Sequence, residues 1–157
     1  MAIQVGEKIP DVTLKTTGMQ DVTTQELFAG KRVVLFAVPG AFTPTCSQKH
    51  LPGFVEKADE IKAKGVDSII CTSVNDAFVM DAWAKDRSAA DKVTLIADGN
   101  GDLAKALGLD FDGSGIGFGI RSQRYALVVN DGVVETVAVE KPMAFEVSSA
   151  EAILAAL

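Results

Sequence analysis

The residues best suited to chemistry in this sequence lie in one short Pro- and Gly-rich stretch, residues 39–46. The stretch ends at Cys46, and Thr43 lies three positions before that thiol. A thiolate is a strong nucleophile, and the free N–H groups and dipole of a helix N-terminus lower the pKa of a thiol from its ordinary value of about 8.5. The stretch should deliver Cys46 to the first turn of a helix, so we take Cys46 as the candidate nucleophile.

A free cysteine is most often a small buried hydrophobe, and both cysteines of the chain must be weighed against that alternative. It fits Cys46 poorly, because Pro, Thr and Phe crowd the turn around it, whereas inert cysteines usually lie inside regular elements. Cys71 does lie that way, between Ile70 and Thr72 in an apolar run. The sequence therefore favours Cys46 as the reactive thiol.

His50, the only histidine, follows Cys46 by four residues and would share its face of a regular helix. A Cys–His pair can serve as the nucleophile and base of a hydrolase, but no Asn or Asp is apparent that would orient the imidazole. One histidine and two separated cysteines do not make a zinc site either. We predict no metal and no prosthetic group.

Two elements must position Cys46: a strand at residues 33–38 and a helix at residues 47–62 with one early interruption. The strand is continuously apolar, which is typical of a parallel strand buried on both faces. The pattern predicts further strands at 11–16, 19–23, 66–74, 93–97, 124–129 and 133–139, helices at 25–28, 77–85, 102–107 and 152–157, and a loop at 110–119.

Capping residues mark several of these helix starts. Thr24 is the predicted N-cap of the first helix, Asn75-Asp76 can cap the helix at 77–85, and Ser148 with Glu151 has the spacing of a capping box. The Asp-Gly pair at 131–132 predicts a hairpin between the last two strands. The order of elements predicts an α/β fold, in which a mixed β-sheet is flanked by helices on both faces.

Composition limits the class of protein. At 157 residues, with 48% apolar and 23% charged residues, the chain is expected to form one domain, residues 1–157, with an ordinary core. No apolar run is long enough to span a membrane, and a net charge of −6 without a basic run argues against nucleic acid or anionic membranes as partners. The N-terminus lacks a signal-peptide pattern and there are only two cysteines, so we expect a reducing, cytoplasmic location.

The stretch around Cys46 also resembles a known family. Pro39, Thr43 and Cys46 form Pro-x-x-x-Thr-x-x-Cys, which resembles the active-site signature of the peroxiredoxins, and residues 39–47 resemble the type II, or peroxiredoxin-5-like, branch. Further segments agree with that branch in order along nearly the whole chain: 49–54, 73–76, 78–83, 106–109 and 121–127. Several separated motifs in order are far more specific than one short pattern.

The resemblance implies a thioredoxin-like fold and a thiol peroxidase. Its thiolate, Cys46, would reduce hydrogen peroxide or an organic hydroperoxide and become a sulfenic acid. The hydroxyl of Thr43 would turn into the pocket among the hydrogen-bond donors to the peroxide, and Pro39 would shield the sulfur from water. The remaining pocket residues that the resemblance implies are Gly40, Phe42 and His50.

The resemblance assigns the cation of the site to Arg124. A guanidinium favours the thiolate and can hydrogen-bond both the sulfur and the peroxide. The alternative is an arginine at a strand entry that pairs with a surface carboxylate. Arg121 competes for the same role, but side chains three apart on a strand point to opposite faces, so only one arginine should reach Cys46.

Two routes remain for reducing the sulfenic acid. Cys71 either resolves it or is a plain core cysteine, and in the second case glutaredoxin with glutathione, or thioredoxin, would attack Cys46 directly. Two other functions also remain: a redox sensor or holdase with an oxidisable Cys46, and a thioredoxin-like dithiol reductase. The absence of a Cys-x-x-Cys pair argues against the reductase.

The resemblance further implies a non-covalent homodimer that pairs around the active site. Apolar residues in turns and loops suit such a surface, and a two-fold contact would use the same patch on both copies. The alternative is that each of these side chains packs into its own subunit. The candidate residues are Phe42, Pro44, Phe78, Ile116 and Phe118.

Overall fold

A seven-stranded mixed sheet forms the centre of the computed structural model, which describes all of residues 1–157. The strands are β1 (Thr13–Thr16), β2 (Asp21–Thr23), β3 (Arg32–Ala37), β4 (Ser68–Ser73), β5 (Thr94–Ala97), β6 (Asp110–Asp112), β7 (Ile120–Ser122), β8 (Tyr125–Asn130) and β9 (Val133–Val139). The helices are α1 (Thr24–Phe28), α2 (Leu51–Ala63), α3 (Ala77–Asp86), α4 (Asp102–Ala106) and α5 (Ala150–Ala156). None of these helices combines the length and apolar character needed to cross a bilayer.

The strand order across the main sheet is β2-β1-β5-β4-β3-β8-β9. The strands β3, β4 and β5 run parallel, and the remaining pairs are antiparallel. One apolar cluster joins the sheet to α2, α3 and α5, and a second joins its other face to α1 and α4. The predicted mixed sheet with helices on both faces is confirmed.

Strand β3 is buried on both faces, as its continuous apolar run predicts. Val34 and Phe36 belong to the first cluster, and Val33, Leu35 and Ala37 belong to the second, so the side chains alternate across the sheet. The neighbours of β3 are β4 and β8, which makes it an interior strand with both backbone edges paired. The chain leaves its C-terminal end into the stretch that carries Cys46.

A π-helical turn, Cys46–His50, joins that stretch to α2. Leu51 N donates to Cys46 O, five residues back instead of four. Pro52 explains the extra residue, because its ring has no N–H to donate and would clash with a carbonyl four residues earlier in a regular α-helix. The early interruption expected in this helix is therefore a π-turn.

Two predicted helix caps are wrong by one residue. Thr23, not Thr24, caps α1, since Thr23 Oγ1 accepts from Glu26 N at 3.1 Å. The hydroxyl of Thr24 is engaged elsewhere, because it donates to Pro10 O at 2.7 Å.

At the last helix, Ser149 replaces the predicted cap Ser148 by accepting from Ala152 N at 3.1 Å. Ser148 is fully buried and bonds Glu140 instead. The predicted cap Asp76 is confirmed, because its side chain accepts from Val79 N at 2.9 Å.

The segment predicted as a loop at 110–119 is partly regular. Strands β6 and β7 pair antiparallel, and a 3₁₀ turn, Ser114–Ile116, lies between them. Gly117 and Gly119 adopt positive φ and close the turn, where Gly113 N donates to Gly119 O at 2.6 Å. We call residues 110–122 the β6–β7 arm. The sequence pattern missed it because such short strands, with few apolar residues, have no recognisable period.

Candidate active site

Cys46 is the first residue of the π-turn, and its side chain is completely buried. It belongs to the apolar cluster that also contains Phe36 of β3 and Phe54 of α2. Pro44 and Thr45 are already helical, so the thiol lies in the first turn of the helix, as predicted. A buried sulfur at a helix start has little contact with water and is sensitive to each polar group that reaches it.

Arg124 is the polar group that reaches the sulfur. Its Nη2 donates to Cys46 Sγ at 3.1 Å. Sheet register explains this meeting of residues distant in sequence, because Tyr125 pairs with Ala37 and so the start of β8 lies beside the end of β3. Arg124 and Cys46 therefore meet beyond the same end of two neighbouring strands, β3 and β8.

Arg121 points elsewhere. Its Nε donates to Phe118 O at 3.0 Å, its Nη1 donates to Pro39 O at 3.4 Å, and its guanidinium carbon lies 5.1 Å from the centroid of the Phe118 ring. It thus joins the β6–β7 arm to the start of the Cys46 stretch. Of the two arginines, Arg124 alone contacts the thiol, as predicted, but not for the predicted reason: Arg121 lies in β7 and Arg124 just before β8, so the two do not share a strand.

His50 lies on the other side of Arg124. Its Nδ1 is 2.9 Å from Arg124 Nη1, and its Nε2 is 2.8 Å from Ser148 O. A carbonyl oxygen can only accept, so Nε2 carries the hydrogen and Nδ1 is left to accept from the guanidinium. The hydrolase alternative fails here, because Arg124 takes the nitrogen that a catalytic base would offer to Cys46.

Burial and charge keep this imidazole neutral. The His50 ring lies among Phe36, Phe54 and Phe145, with centroid distances of 4.8, 5.6 and 5.0 Å. Burial first, and then the positive charge of Arg124, lower the pKa of His50 from 6.5 to about 3, although the Ser148 carbonyl and Glu140 oppose the change. A neutral imidazole can accept from Arg124 throughout the physiological pH range.

Thr43 is oriented by its own turn. Its hydroxyl donates to Gly40 O at 2.6 Å, so the hydrogen is engaged and the oxygen lone pairs remain to accept. In this geometry Thr43 offers an acceptor, whereas the sequence led us to expect a donor. A Cβ at Gly40 would lie only 3.1 Å from both Arg121 Nη1 and Thr43 Cγ2, so close packing accounts for glycine there.

Phe42 has a strained backbone beside the site. Its φ is +66°, a left-handed conformation that costs a non-glycine residue on the order of 1 kcal/mol. Its side chain is 49% exposed, with its ring centroid 6.5 Å from that of Trp83. Pro39, at the beginning of the stretch, is half-buried and supplies the carbonyl that holds Arg121.

Cys71 lies in β4 opposite Phe36 of β3, fully buried in the cluster that contains Cys46. Both thiols are free. Burial first, and then the nearby Cys46, raise the pKa of Cys71, and Arg124 opposes them weakly. A buried thiol that resists ionisation is a poor nucleophile.

Two contacts near the site were not predicted from the sequence. Trp83 Nε1 donates to Ser47 Oγ at 2.8 Å, which fixes α3 to the π-turn. A buried indole needs an acceptor for its N–H, so the single Trp could have signalled a partner but not which one.

The second missed contact involves Glu140, which follows β9. Its Oε2 accepts from the backbone N–H groups of Glu146, Val147 and Ser148 at 2.8, 2.9 and 2.8 Å, and from Ser148 Oγ at 2.7 Å. A lone acidic residue after a strand carries no sequence signal for this arrangement.

Comparisons with known proteins point in one direction. The family model described as Redoxin matches residues 4–154. Peroxiredoxin-2B from Arabidopsis thaliana is 50% identical over 99% of this chain and 98% of its own length. The chloroplastic Peroxiredoxin-2E of the same plant is 53% identical over 99% of this chain and 70% of its length. The crystal structure of reduced Prx3 from Vibrio vulnificus in complex with hydrogen peroxide superposes with a TM-score of 0.94, at 55% identity and covering 98% of each chain.

Proposed function

Because this chain belongs to the redoxin family, as a peroxiredoxin of the type II branch, and is therefore a thiol peroxidase, we propose that Cys46 is the residue that attacks the hydroperoxide. The observation that supports this most is the hydrogen bond from Arg124 Nη2 to Cys46 Sγ at 3.1 Å. A charged donor at that distance favours the thiolate, which is the form that reacts.

In the reaction, the thiolate sulfur of Cys46 forms a bond to one peroxide oxygen while the O–O bond breaks. The second oxygen leaves with the electron pair of that bond and, once protonated, becomes water or an alcohol. The sulfur is oxidised by two electrons and becomes a sulfenic acid. Negative charge therefore moves from sulfur to the departing oxygen, and fixed dipoles must follow it.

Thr43 and Arg124 act on the two ends of this charge movement. The hydroxyl of Thr43, whose hydrogen is bound to Gly40 O, accepts a hydrogen bond from the peroxide O–H and orients the oxygen under attack. Arg124 donates to the sulfur and then to the oxygen on which charge develops. Pro39, Gly40 and Phe42 form the wall of the pocket, and His50 holds Arg124.

Reduction of the sulfenic acid requires a thiol from outside the chain. Cys71 is a core residue in this proposal, because it is buried in a central strand and its pKa is raised. The reductant attacks Cys46 directly, and the candidates are glutaredoxin with glutathione, or thioredoxin. The two differ in whether glutathione is consumed, so parallel assays separate them.

In this proposal the chain is one redoxin domain, residues 1–157. It acts in the reducing cytoplasm. Two copies form a homodimer that no disulfide holds together. Phe42, Phe78 and Ile116 are 49%, 70% and 69% exposed, and Pro44 is exposed as well, which favours the pairing of copies over packing within one subunit. Phe118 is only half-buried. These five residues form what we call the apolar rim.

The test is peroxide consumption by wild type, Cys46→Ser and Cys71→Ser, each with the glutaredoxin and thioredoxin systems in parallel. Cys46→Ser should lose turnover with both systems and keep its circular dichroism spectrum. Cys71→Ser should retain turnover with the preferred system. Appreciable turnover by Cys46→Ser would disprove the role of Cys46, and loss in Cys71→Ser alone would show that Cys71 resolves the sulfenic acid.

A further inference from the structure

We propose that Glu140 is a positioning residue for the peroxidase reaction, and that its carboxylate sets the orientation of Arg124 at Cys46 through the backbone of residues 146–148 and the ring of His50. The inference rests on the proposed role of Arg124. It assigns a function in the reaction to a residue that touches neither the thiol nor the peroxide.

Glu140 Oε2 has an unusually complete set of partners. Three consecutive backbone N–H groups, from Glu146, Val147 and Ser148, converge on this one oxygen, and Ser148 Oγ provides a fourth donor. Successive N–H groups of this kind form a concave site for an anion. Glu140 is 7% exposed, and its own N–H donates to Arg124 O at 2.9 Å, so the backbone of Glu140 is held beside that of Arg124.

Without its hydrogen bonds to Glu140, the backbone of residues 141–149 would be weakly held. Residues 141–149 contain no helix or strand, and Met143 at the outer side is fully exposed with a φ of +68°. The hydrogen bonds to Glu140 bend this segment inward at its end, just before Ser149 caps α5. The result is that the carbonyl of Ser148 points at the buried His50 Nε2, 2.8 Å away.

The carbonyl of Ser148 then determines what His50 can do. It requires a hydrogen on Nε2, which leaves Nδ1 as an acceptor for Arg124 Nη1 at 2.9 Å. With Nη1 bound, the planar guanidinium has one orientation left that places Nη2 on Cys46 Sγ at 3.1 Å. Four contacts therefore run from the Glu140 carboxylate to the thiol, each fixing the next.

Positioning and simple electrostatics make opposite predictions for Glu140. A carboxylate near a thiol disfavours the thiolate, so removing only its charge should make Cys46 easier to ionise. If Glu140 positions Arg124, its removal should make Cys46 harder to ionise, because the guanidinium no longer faces the sulfur. The sign of the change thus separates the two roles.

The experiment compares wild type with Glu140→Gln and with a matched control, Glu151→Gln. Glu151 is an exposed carboxylate three residues after Ser148 that takes no part in the contacts to Cys46. The rate of Cys46 alkylation is measured against pH, and the rate constant for peroxide is measured by stopped flow. For Glu140→Gln we expect the alkylation midpoint to rise by about one pH unit and the peroxide rate constant to fall about tenfold. Glu151→Gln should match wild type in both.

Nitrogen NMR gives a direct view of the intermediate contact. The chain has one histidine, so its ring signals need no assignment experiment. Wild type should show a neutral ring with the hydrogen on Nε2, and Glu140→Gln should show loss of that single tautomer. An unchanged tautomer together with an unchanged or lowered alkylation midpoint would overturn the inference.

Two further variants keep the interpretation clear. Ser148→Ala removes one of the four donors to Glu140 and should raise the alkylation midpoint by less than Glu140→Gln does. This variant replaces Glu140→Gln in the test if Glu140→Gln fails to fold. An unchanged midpoint in Ser148→Ala would then count against the inference. Arg124→Gln tests the premise: if it leaves the midpoint unchanged, the proposed role of Arg124 fails. If Arg124→Gln raises the midpoint and Glu140→Gln does not, only the role of Glu140 fails.

Discussion

At the scale of single residues, Arg124 divides its two terminal nitrogens between a sulfur and an imidazole. A lysine could not do both, because its ammonium is a point charge without a planar pair of donors. The ring of Phe145 lies 5.7 Å from the guanidinium carbon and covers one face of the cation. The specificity of the site for arginine therefore comes from geometry as well as charge.

Thr43→Val should separate the two reactions of Cys46. Valine keeps the shape of threonine but removes the oxygen that accepts from the peroxide, so we expect the peroxide rate constant to fall about 100-fold. Alkylation of the same thiol does not need that oxygen and should change little. Stopped-flow rates with hydrogen peroxide and with iodoacetamide make the comparison, and equal losses in both would reduce Thr43 to a packing residue.

His50 should make the protein sensitive to mild acid. Its pKa is about 3 when folded and 6.5 ordinarily, so its contribution to stability is complete above pH 6.5 and is lost as the pH falls towards 3. Between pH 6.5 and 4.5 the unfolding free energy should fall by about 2 kcal/mol from this group.

Urea denaturation over that pH range measures the effect, with His50→Asn as the control that cannot titrate. The pKa of Glu140 lies below its ordinary 4.5, because hydrogen bonds from Ser148 and the 146–147 backbone outweigh burial, so its own loss of stability begins at lower pH. The same pH slope in wild type and His50→Asn would show that another group is responsible.

At the scale of elements, the π-turn is the connection on which the site depends. It carries Cys46 and His50 towards Arg124, and Ser47 towards Trp83 of α3. In a regular α-helix the Pro52 ring would clash with the carbonyl oxygen four residues earlier. One wide turn therefore lets the helix begin at the thiol and still continue through proline.

Ser47→Ala should expose the importance of the contact with α3. It leaves the buried indole N–H of Trp83 without an acceptor, which costs about 2 kcal/mol of unfolding free energy. Chemical denaturation measures the loss, and a double-mutant cycle isolates it. In a Trp83→Phe background no N–H is left unpaired, so Ser47→Ala should lower the unfolding free energy much less. An equal loss in both backgrounds would assign the effect to Ser47 alone.

The sequence predicted the elements better than their ends and contacts. The strand at 33–38 and the Asp-Gly hairpin carry strong local signals, so they could be found without a structure. The predicted caps Thr24 and Ser148 failed because each hydroxyl donates to a competing acceptor, Pro10 O and Glu140, which lie 14 and 8 residues away and carry no local signal. The sequence predicted the π-turn only as an interruption of the helix, since its form depends on the ring of Pro52.

The same limit applies to the site. Cys46, Thr43 and Pro39 lie within eight residues and could be recognised together. Glu140 could not, because its role depends on three N–H groups that converge only after the 141–149 segment folds back.

At the scale of the whole molecule, the sheet order places the end of β3 beside the start of β8, and residues of the apolar rim contact the chain around that point. Phe42 reaches Trp83 of α3, the helix that also carries Phe78. Arg121 links Pro39 to Phe118 of the β6–β7 arm. Phe42 and Pro44 of the apolar rim thus lie in the stretch that carries Cys46, and Phe118 is joined to that stretch through Arg121.

Phe78→Glu should turn a dimer into a monomer. A charge in a two-fold apolar contact appears twice, once from each copy, so the penalty is doubled. Sedimentation of the reduced protein at high micromolar concentration measures the effect. Val5→Glu is the control, because Val5 is 64% exposed beside Gly6, which bonds Val134 near the opposite end of the sheet. A monomeric wild type would refute the dimer. Loss of the dimer in dithiothreitol would show that a disulfide links the two copies.

The bond between Arg124 and Cys46 joins residues 78 positions apart, across the pairing of β3 with β8. During synthesis on the ribosome, the nascent chain contains the thiol long before the arginine has been added. Until then Cys46 has no guanidinium beside it and should behave as an ordinary cysteine towards oxidants. We therefore expect sensitivity to peroxide to be acquired only once β8 has paired with β3, so that incomplete chains are spared premature oxidation of Cys46.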